Sequence, residues 1–383
     1  MKIYLIAVEP SADQLGADLV KALRATGADI SFAGIGGPKL QAEGIPSQMD
    51  IQGLAILGIT EALKRLRFVY KKISEAAERI EAAKPDVVIC LDSYGFMIRL
   101  AERLRKRGFD QKLIKYVAPQ VWAMRPSRAK RVARLFDGLL TIHPFEAEYF
   151  MPLGLPTEYV GNGVFDTDYM AGDPTAIREQ YKLGDRPILS VYFGSRSSEV
   201  ARLARPFADA VTELKQNIPH LAIISPVADS VAEDVGAAAG ADPRLNEIIL
   251  LPETSKLNAM ACSAAALACS GTVTTQLACA GIPTVVAYRL SGISYVIIRS
   301  LIKLKFISMV NIAAKTDLMP EFIQSEVKGE ALSNALLPYL TDIKKRAAAS
   351  DALISQTNAM RGPKDVTASA RAAQAILKLL DLA

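Results

Sequence analysis

With 383 residues, half of them hydrophobic, the chain is too long for a single core and reads as two domains. It has no low-complexity tract, no internal repeat and no uncharged apolar run approaching about 18 residues, which argues against a fibrous protein and a membrane-spanning helix. The net charge of +5 is unevenly placed: residues 1–165 hold 23 Lys and Arg against 18 Asp and Glu, and the rest of the chain is neutral.

The opening MKIYLIAVEP is too short for a signal peptide and meets Glu9, so it reads as a first strand. Short apolar runs at 3–7, 31–33, 87–91, 113–117 and 138–142 have strand length, and the segments between them, such as 13–25 and 73–83, carry helical periodicity. The rhythm restarts near 161–174, with strands predicted at 188–191, 221–224, 247–250, 264–268 and 284–287. Alternation of this kind implies mostly parallel sheets with helices on both faces, hence an α/β chain of two Rossmann-like, doubly wound halves with a cleft between them. Four cysteines, Cys90, Cys262, Cys269 and Cys279, lie in apolar runs without CxxC spacing and read as reduced core thiols of a cytosolic protein.

The first turn, Val8 to Gln14, pairs Ser11 with Gln14 at capping-box spacing and places Asp13 in the first turn of a helix. No G-x-G-x-x-G follows the first strand; Gly34, Gly36 and Gly37 come after the second, with Pro38 opening a helix, which argues against a nicotinamide cofactor. Segments 51–73 and 293–307 mix large apolar residues with Lys and Arg, as helices in a membrane interface do; the alternative is a core helix with snorkelling basic ends. Between Arg99 and Arg134 twelve basic residues meet only Glu102 and Asp110, a surface suited to a phosphorylated substrate or an anionic membrane. No aromatic platform accompanies that charge, so nucleic acid is not expected.

Few residues offer catalysis. His143 and His220 read as structural, and no cluster has metal-ligand spacing. Asp166-Thr167-Asp168 matches a D-x-D that can hold a metal–diphosphate, but it falls in the expected linker and reads as a solvated turn. Asp92 closes a strand where a carboxylate can act as general base. Gly194, Ser195 and Arg196 follow the first strand of the second half, where Arg196 can fork a departing diphosphate. The stretch 264–289 reads strand, turn, helix, strand: Ser270, Gly271 and Thr272 form a small hydroxyl-bearing turn at a helix start suited to phosphate, Gln276 lies one turn inside, and Gly281 ends the helix in a left-handed cap.

Along nearly its whole length the chain resembles the lipid-A-disaccharide synthases. The matching pieces are Glu9-Pro10-Ser11 with Asp13, Gly34 to Pro38, Leu57-Gly58-Ile59 with Glu61, Lys84-Pro85-Asp86, and Tyr116 to Pro119 with Val121-Trp122-Ala123 and Arg125. Pro144-Phe145-Glu146, Gly194-Ser195-Arg196, Ser270-Gly271-Thr272, Asn311, and Pro320-Glu321 with Gln324 continue the match. The resemblance implies a GT-B fold and an inverting transfer, without metal or cofactor, of 2,3-diacylglucosamine from its UDP-sugar to 2,3-diacylglucosamine 1-phosphate, giving the β-1,6 disaccharide of lipid A. It implies a domain 1–165 for acceptor and membrane, a domain 166–365 for the UDP-sugar, and a C-terminal helix in 366–383. It adds Trp122, Arg125, Asn311, Glu321 and Gln324 as substrate-binding residues, and Glu9 and Asp13 as carboxylates next in line to Asp92. The implied place of work is the cytoplasmic face of the inner membrane, held peripherally on an anionic surface; a homodimer is left open.

The sequence departs from the family at its cleft. The family's D-x-P-D-F-N is here Asp92-Ser93-Tyr94-Gly95-Phe96-Met97, so the candidate base is replaced by Gly95. The Glu expected on the ribose is Gln276, and a Gly-His pair is Gly161-Asn162. A transferase acting on another lipid or UDP-sugar, and a catalytically weak paralogue that binds these ligands, therefore stand beside the synthase.

Overall fold

The computed structural model describes residues 1–54, 66–122, 127–290, 305–362 and 366–380. These divide into two compact units: Met1–Asp166 together with the C-terminal stretch from Gly362, and Thr167 to Arg361.

The first unit is built on six parallel strands, β1 (Lys2–Ile6), β2 (Ser31–Ile35), β3 (Val87–Leu91), β4 (Lys112–Tyr116), β5 (Gly138–Thr141) and β6 (Thr157–Tyr159), in the order β2-β1-β3-β4-β5-β6. Helices α1 (Pro10–Ala25), α2 (Pro38–Ala42), α3 (Leu66–Ala83), α4 (Tyr94–Lys106) and α5 (Ser127–Leu135) connect them. VVICL of β3 is buried at every position because helices cover both faces of the sheet, and a side chain pointing either way meets apolar atoms. On one face Ile73, Ala76 and Ile80 of α3 pack with Leu100 and Leu104 of α4.

The second unit repeats the plan in the order β12-β11-β10-β7-β8-β9, again all parallel. Its elements are α6 (Ala176–Gln180), β7 (Ile188–Tyr192), α7 (Ser197–Asn217), β8 (Ala222–Val227), α8 (Ala232–Ala241), β9 (Ile248–Pro252), α9 (Lys256–Cys262), β10 (Ala265–Cys269), α10 (Thr272–Cys279) and β11 (Thr284–Tyr288). After β11 come α11 (Met309–Ala314), β12 (Glu321–Ile323), α12 (Gly329–Thr341) and α13 (Ile343–Met360). Leu203, Phe207, Val211 and Leu214 of α7 share one core with Leu332 and Leu336 of α12.

The last helix, α14 (Ala368–Leu379), returns to the first unit. Ala372, Ala373 and Ile376 are buried in one cluster with Leu19, Val20 and Leu23 of α1. Arg371 Nε donates to Val160 O at 2.7 Å, and Asp166 Oδ2 accepts from Ala368 N at 2.7 Å where the helix begins. At about 25 cal/mol per Å² of buried apolar surface, covering α1 in this way contributes several kcal/mol to the first unit.

Two strands went unpredicted, β6 and β12. Both are three-residue edge strands, TEY and EFI, only partly buried, and too short to display a period. The start of α1 also differs from expectation: Glu9 is the N-cap and Pro10 the first helical residue, and no side-chain cap forms. Proline is preorganised for that position, so the helix begins ahead of Ser11. Gln14 instead donates to Asp18 within the helix, at 3.0 Å.

Candidate functional site

In the second unit the turns after β7 and β10 come together because those strands are neighbours in the sheet. After β7, Gly194 takes φ +108, and a Cβ there would lie 2.3 Å from Glu199 Oε2. That close approach is used: Glu199, in the first turn of α7 and nearly buried, accepts from Ser195 N at 3.0 Å and from Arg196 Nη1 at 2.7 Å. Arg196 thus enters the site already oriented, with part of its guanidinium still exposed. Sequence reading found Arg196 but missed Glu199, whose signal was an acidic residue three positions on.

After β10, Ser270 N is tied to Ala287 O at 3.1 Å, and Gly271 is an extended N-cap without a side-chain cap, so the first amides of α10 are not satisfied by it. Ser270, Gly271 and Thr272 form this turn, and Gly281, at φ +68, closes the helix region. Gln276 has its Oε1 buried without a hydrogen-bond partner. A buried amide oxygen left unpaired costs roughly 1–3 kcal/mol, which a ligand hydroxyl can recover.

Beyond β11 the expected substrate residues are bound into the unit. Asn311, fully buried, donates to Met319 O at 2.7 Å and Glu321 Oε1 at 2.8 Å, and accepts from Leu318 N and Met319 N at 2.9 and 3.0 Å. Glu321 accepts from Ile307 N at 2.7 Å and Ser308 N at 2.9 Å. Gln324, at φ +55, pairs its amide with both backbone groups of Leu290, at 2.6 and 3.3 Å. These three fix the loops around the ends of β11 and β12.

In the first unit, β1, β3 and β4 are adjacent, which gathers Glu9 and Asp92 at their carboxyl ends. On β4, beside the end of β3, lies Lys115, a residue to which sequence reading gave no role. Only 1% exposed, its ammonium donates to Asp92 O at 2.6 Å and Tyr116 O at 3.0 Å, with Cys90 O at 3.5 Å. Burial lowers its pKa to about 8, opposed chiefly by the charge of Asp92, with Glu9 adding to it. The signal was a lysine inside the apolar strand KLIKY. Asp92 and Ser93 both take left-handed backbone angles, φ +46 and +40, a strained corner that Lys115 holds closed.

Asp13 is buried and accepts from Gly37 N at 2.8 Å, Lys39 N at 2.8 Å and Leu40 N at 3.2 Å, capping α2. A Cβ at Gly37 would lie 2.6 Å from Asp13 Oδ2, which accounts for the glycine pair. Gly95 is helical, exposed and without positive φ. A Cβ at Gly95 would have only Arg99 Nη1, at 3.7 Å, within reach. The glycine is therefore not required by the backbone.

After β5, Glu146 is 1% exposed and accepts from His143 N at 3.1 Å, Ile142 N at 3.2 Å and Trp122 Nε1 at 3.4 Å. Burial raises its pKa to about 7 and lowers that of His143 to about 4. Phe145 stacks on His143 at 5.5 Å and meets Trp122 edge-on at 5.4 Å. Arg125 and the 57–61 motif lie outside the described residues. The basic run beyond Arg99 is largely spent inside the unit: Arg105 on Asp137, Arg107 on Glu81, Arg131 on Glu102, Lys112 on Leu379 O. In the expected linker, Asp168 accepts from Met170 N at 2.9 Å, closing a turn.

Solved structures with the same architecture include the UDP co-structure of MnaA from S. aureus, with a TM-score of 0.67, 16% identity and coverage of 100% and 97% of the two chains. UDP-GlcNAc 2-epimerase from Neisseria meningitidis, bound to UDP-GlcNAc, follows at 0.64, 12% identity and 99% and 100% coverage. At such identities the likeness is one of fold, the GT-B fold. Sequence relatives carry more. The lipid-A-disaccharide synthase of Rhodospirillum centenum is 37% identical over 380 residues, 99% of this chain and 94% of the relative. That of Paramagnetospirillum magneticum is 39% identical over 351 residues, 91% and 90% of the two chains. A family model described as lipid-A-disaccharide synthetase matches residues 3–376. The chain belongs to the lipid-A-disaccharide synthetase family.

Proposed function

We propose that the protein is an inverting glycosyltransferase that moves 2,3-diacylglucosamine from UDP-2,3-diacylglucosamine to 2,3-diacylglucosamine 1-phosphate, releasing UDP. The observation that carries this is the pairing, in a chain of this family, of oriented Arg196 with the open start of α10 at neighbouring strand ends. UDP lies with its diphosphate toward Arg196 and the amides after Gly271, and with a ribose hydroxyl donating to Gln276 Oε1. A carboxylate, Asp92, accepts the proton of the acceptor's 6-hydroxyl; the oxygen attacks the anomeric carbon, and the bond to UDP breaks. Arg196 and the helix-start amides carry the charge that develops on the leaving diphosphate.

Attachment to an anionic membrane, on the cytoplasmic face of the inner membrane, is supported by the substrates and by the exposed side chains of α3. Its first turns expose Leu66, Phe68 and Tyr70 beside Arg67 and Lys71. Among the described residues no helix is long and apolar enough to cross a membrane. Gly95, standing where the family has its aspartate, favours a second reading: a weak or redirected transferase that binds the same ligands. Purified protein incubated with both substrates, products identified by mass, separates the two. The disaccharide supports the first; UDP binding without any transfer overturns it in favour of the second.

A further inference from the structure

A cavity of about 600 Å³ in the second unit is lined by Ala201, Arg202, Arg205, Pro206, Arg289, Leu290, Gln324 and Ser325, three arginines and no carboxylate among the described residues. Arg289 is fixed in place, donating through Nε to Gln324 O at 3.1 Å and through Nη2 to Val327 O at 2.5 Å. Arg202 bonds only to Ser198 O of its own helix, at 3.0 Å. Arg205, exposed, has no hydrogen bond, and the nearby Asp242 is already paired with Arg244. Among the described residues none of the three arginines forms a salt bridge. Three guanidinium groups around a concavity whose described lining holds no carboxylate attract an anion that can complete it.

The cavity opens at the carboxyl ends of β11 and β12, the end of the sheet that carries Arg196. With strands about 4.8 Å apart, β11 stands roughly 10 Å from β7 across β10, so the cavity adjoins the diphosphate position without coinciding with it. Pro206, Ala201 and Leu290 give apolar walls, and in sequence Leu290 leads into the apolar and basic run SGISYVIIRSLIKL.

We propose that this cavity binds the phosphate monoester of an anionic lipid. Three guanidinium groups match a dianion bearing three free oxygens better than the single charge of a phosphodiester. The assignment rests on the reading of the protein as a transferase of acylated, phosphorylated sugars, and the phosphate belongs either to the acceptor or to a bilayer lipid.

Arg202→Gln with Arg205→Gln is the informative variant, because neither side chain bonds outside its own helix; its melting temperature and UDP affinity serve as controls. Wild type should bind phosphatidic acid vesicles more tightly than phosphatidylglycerol vesicles of equal surface charge, and the double variant should lose that preference, at least tenfold in affinity. In the transfer assay, a rise in KM for the 1-phosphorylated acceptor at unchanged kcat identifies the acceptor as the source; a vesicle effect alone identifies the bilayer lipid. Inorganic phosphate competing at the same site supports monoester recognition. No preference between the two vesicles in wild type, with KM unaltered in the variant, overturns the proposal; intact UDP binding and turnover in that experiment leave the function standing.

Discussion

Glu146 and His143 sit beside one another with pKa values moved in opposite directions by the same burial, and the two should nearly conceal each other in solution. Folded Glu146 holds its proton up to about 7 against an ordinary 4.5, so its contribution is full below 4.5 and lost as pH rises to about 7. Folded His143 stays neutral down to about 4 against an ordinary 6.5, so its contribution is present above 6.5 and lost as pH falls through 4. Between 4.5 and 6.5 the slopes, each about 1.4 kcal/mol per pH unit, cancel. Urea unfolding across that range should show stability falling with pH in His143→Phe and rising with pH in Glu146→Gln; two parallel curves would refute the pairing. Asp92 is tested at the same scale. Asparagine tolerates the left-handed backbone at this position, so Asp92→Asn removes charge without strain. Turnover should drop 10²- to 10⁴-fold, roughly the worth of a general base, with UDP affinity unchanged. Gly95→Asp fits without clash and should leave the rate nearly alone. A large gain in Gly95→Asp, with little loss in Asp92→Asn, would place the base at position 95.

The turn between β10 and α10 was readable from sequence because each signal was local: an apolar run of strand length, Ser270-Gly271-Thr272, and a glycine cap at Gly281. The capping of α2 by Asp13 was not, since its donors lie more than twenty residues away and only the folded chain brings them together. Lys115 was hidden for a similar reason: a lysine within a strand reads as an edge charge until its neighbours' carbonyls are placed around it. Asn311, Glu321 and Gln324 carry the family's pattern, yet they bond to backbone groups and, for Asn311 and Glu321, to one another, which gives them a part in shaping loops whatever else they touch. At Gln276 the element makes a specific claim. On the proposed function its unpaired Oε1 accepts from a ribose hydroxyl, and a carboxylate there should accept a stronger, charge-assisted bond. Gln276→Glu should tighten UDP binding by about 1 kcal/mol, roughly fivefold, by calorimetry. Unchanged affinity would put the ribose elsewhere, and weaker binding would mean that the carboxylate repels the diphosphate.

The whole chain shows how little net charge says about free charge. A run of basic residues that reads as an open cationic face from sequence is, in the first unit, largely paired with Asp137, Glu81, Glu102 and backbone carbonyls. Among the basic groups that stay exposed, Arg67 and Lys71 stand beside exposed Leu66, Phe68 and Tyr70, where apolar and basic groups share one helix start. Membrane attachment should therefore need both kinds of group at once. Each basic residue near an anionic bilayer contributes about 1 kcal/mol, and salt screens that attraction within roughly 10 Å at 0.1 M. The apolar side chains, by contrast, gain from burial in the interface whatever the salt. In vesicle flotation the protein should bind phosphatidylglycerol vesicles at low salt, detach progressively as salt rises, and ignore neutral vesicles. Phe68→Ser with Tyr70→Ser should weaken binding at every salt concentration without altering the melting temperature, because both side chains are exposed. Arg67→Gln with Lys71→Gln should instead flatten the salt dependence. Equal binding to neutral and anionic vesicles would leave the basic residues without a part in attachment, and an unchanged flotation profile in the aromatic variant would move the contact away from α3.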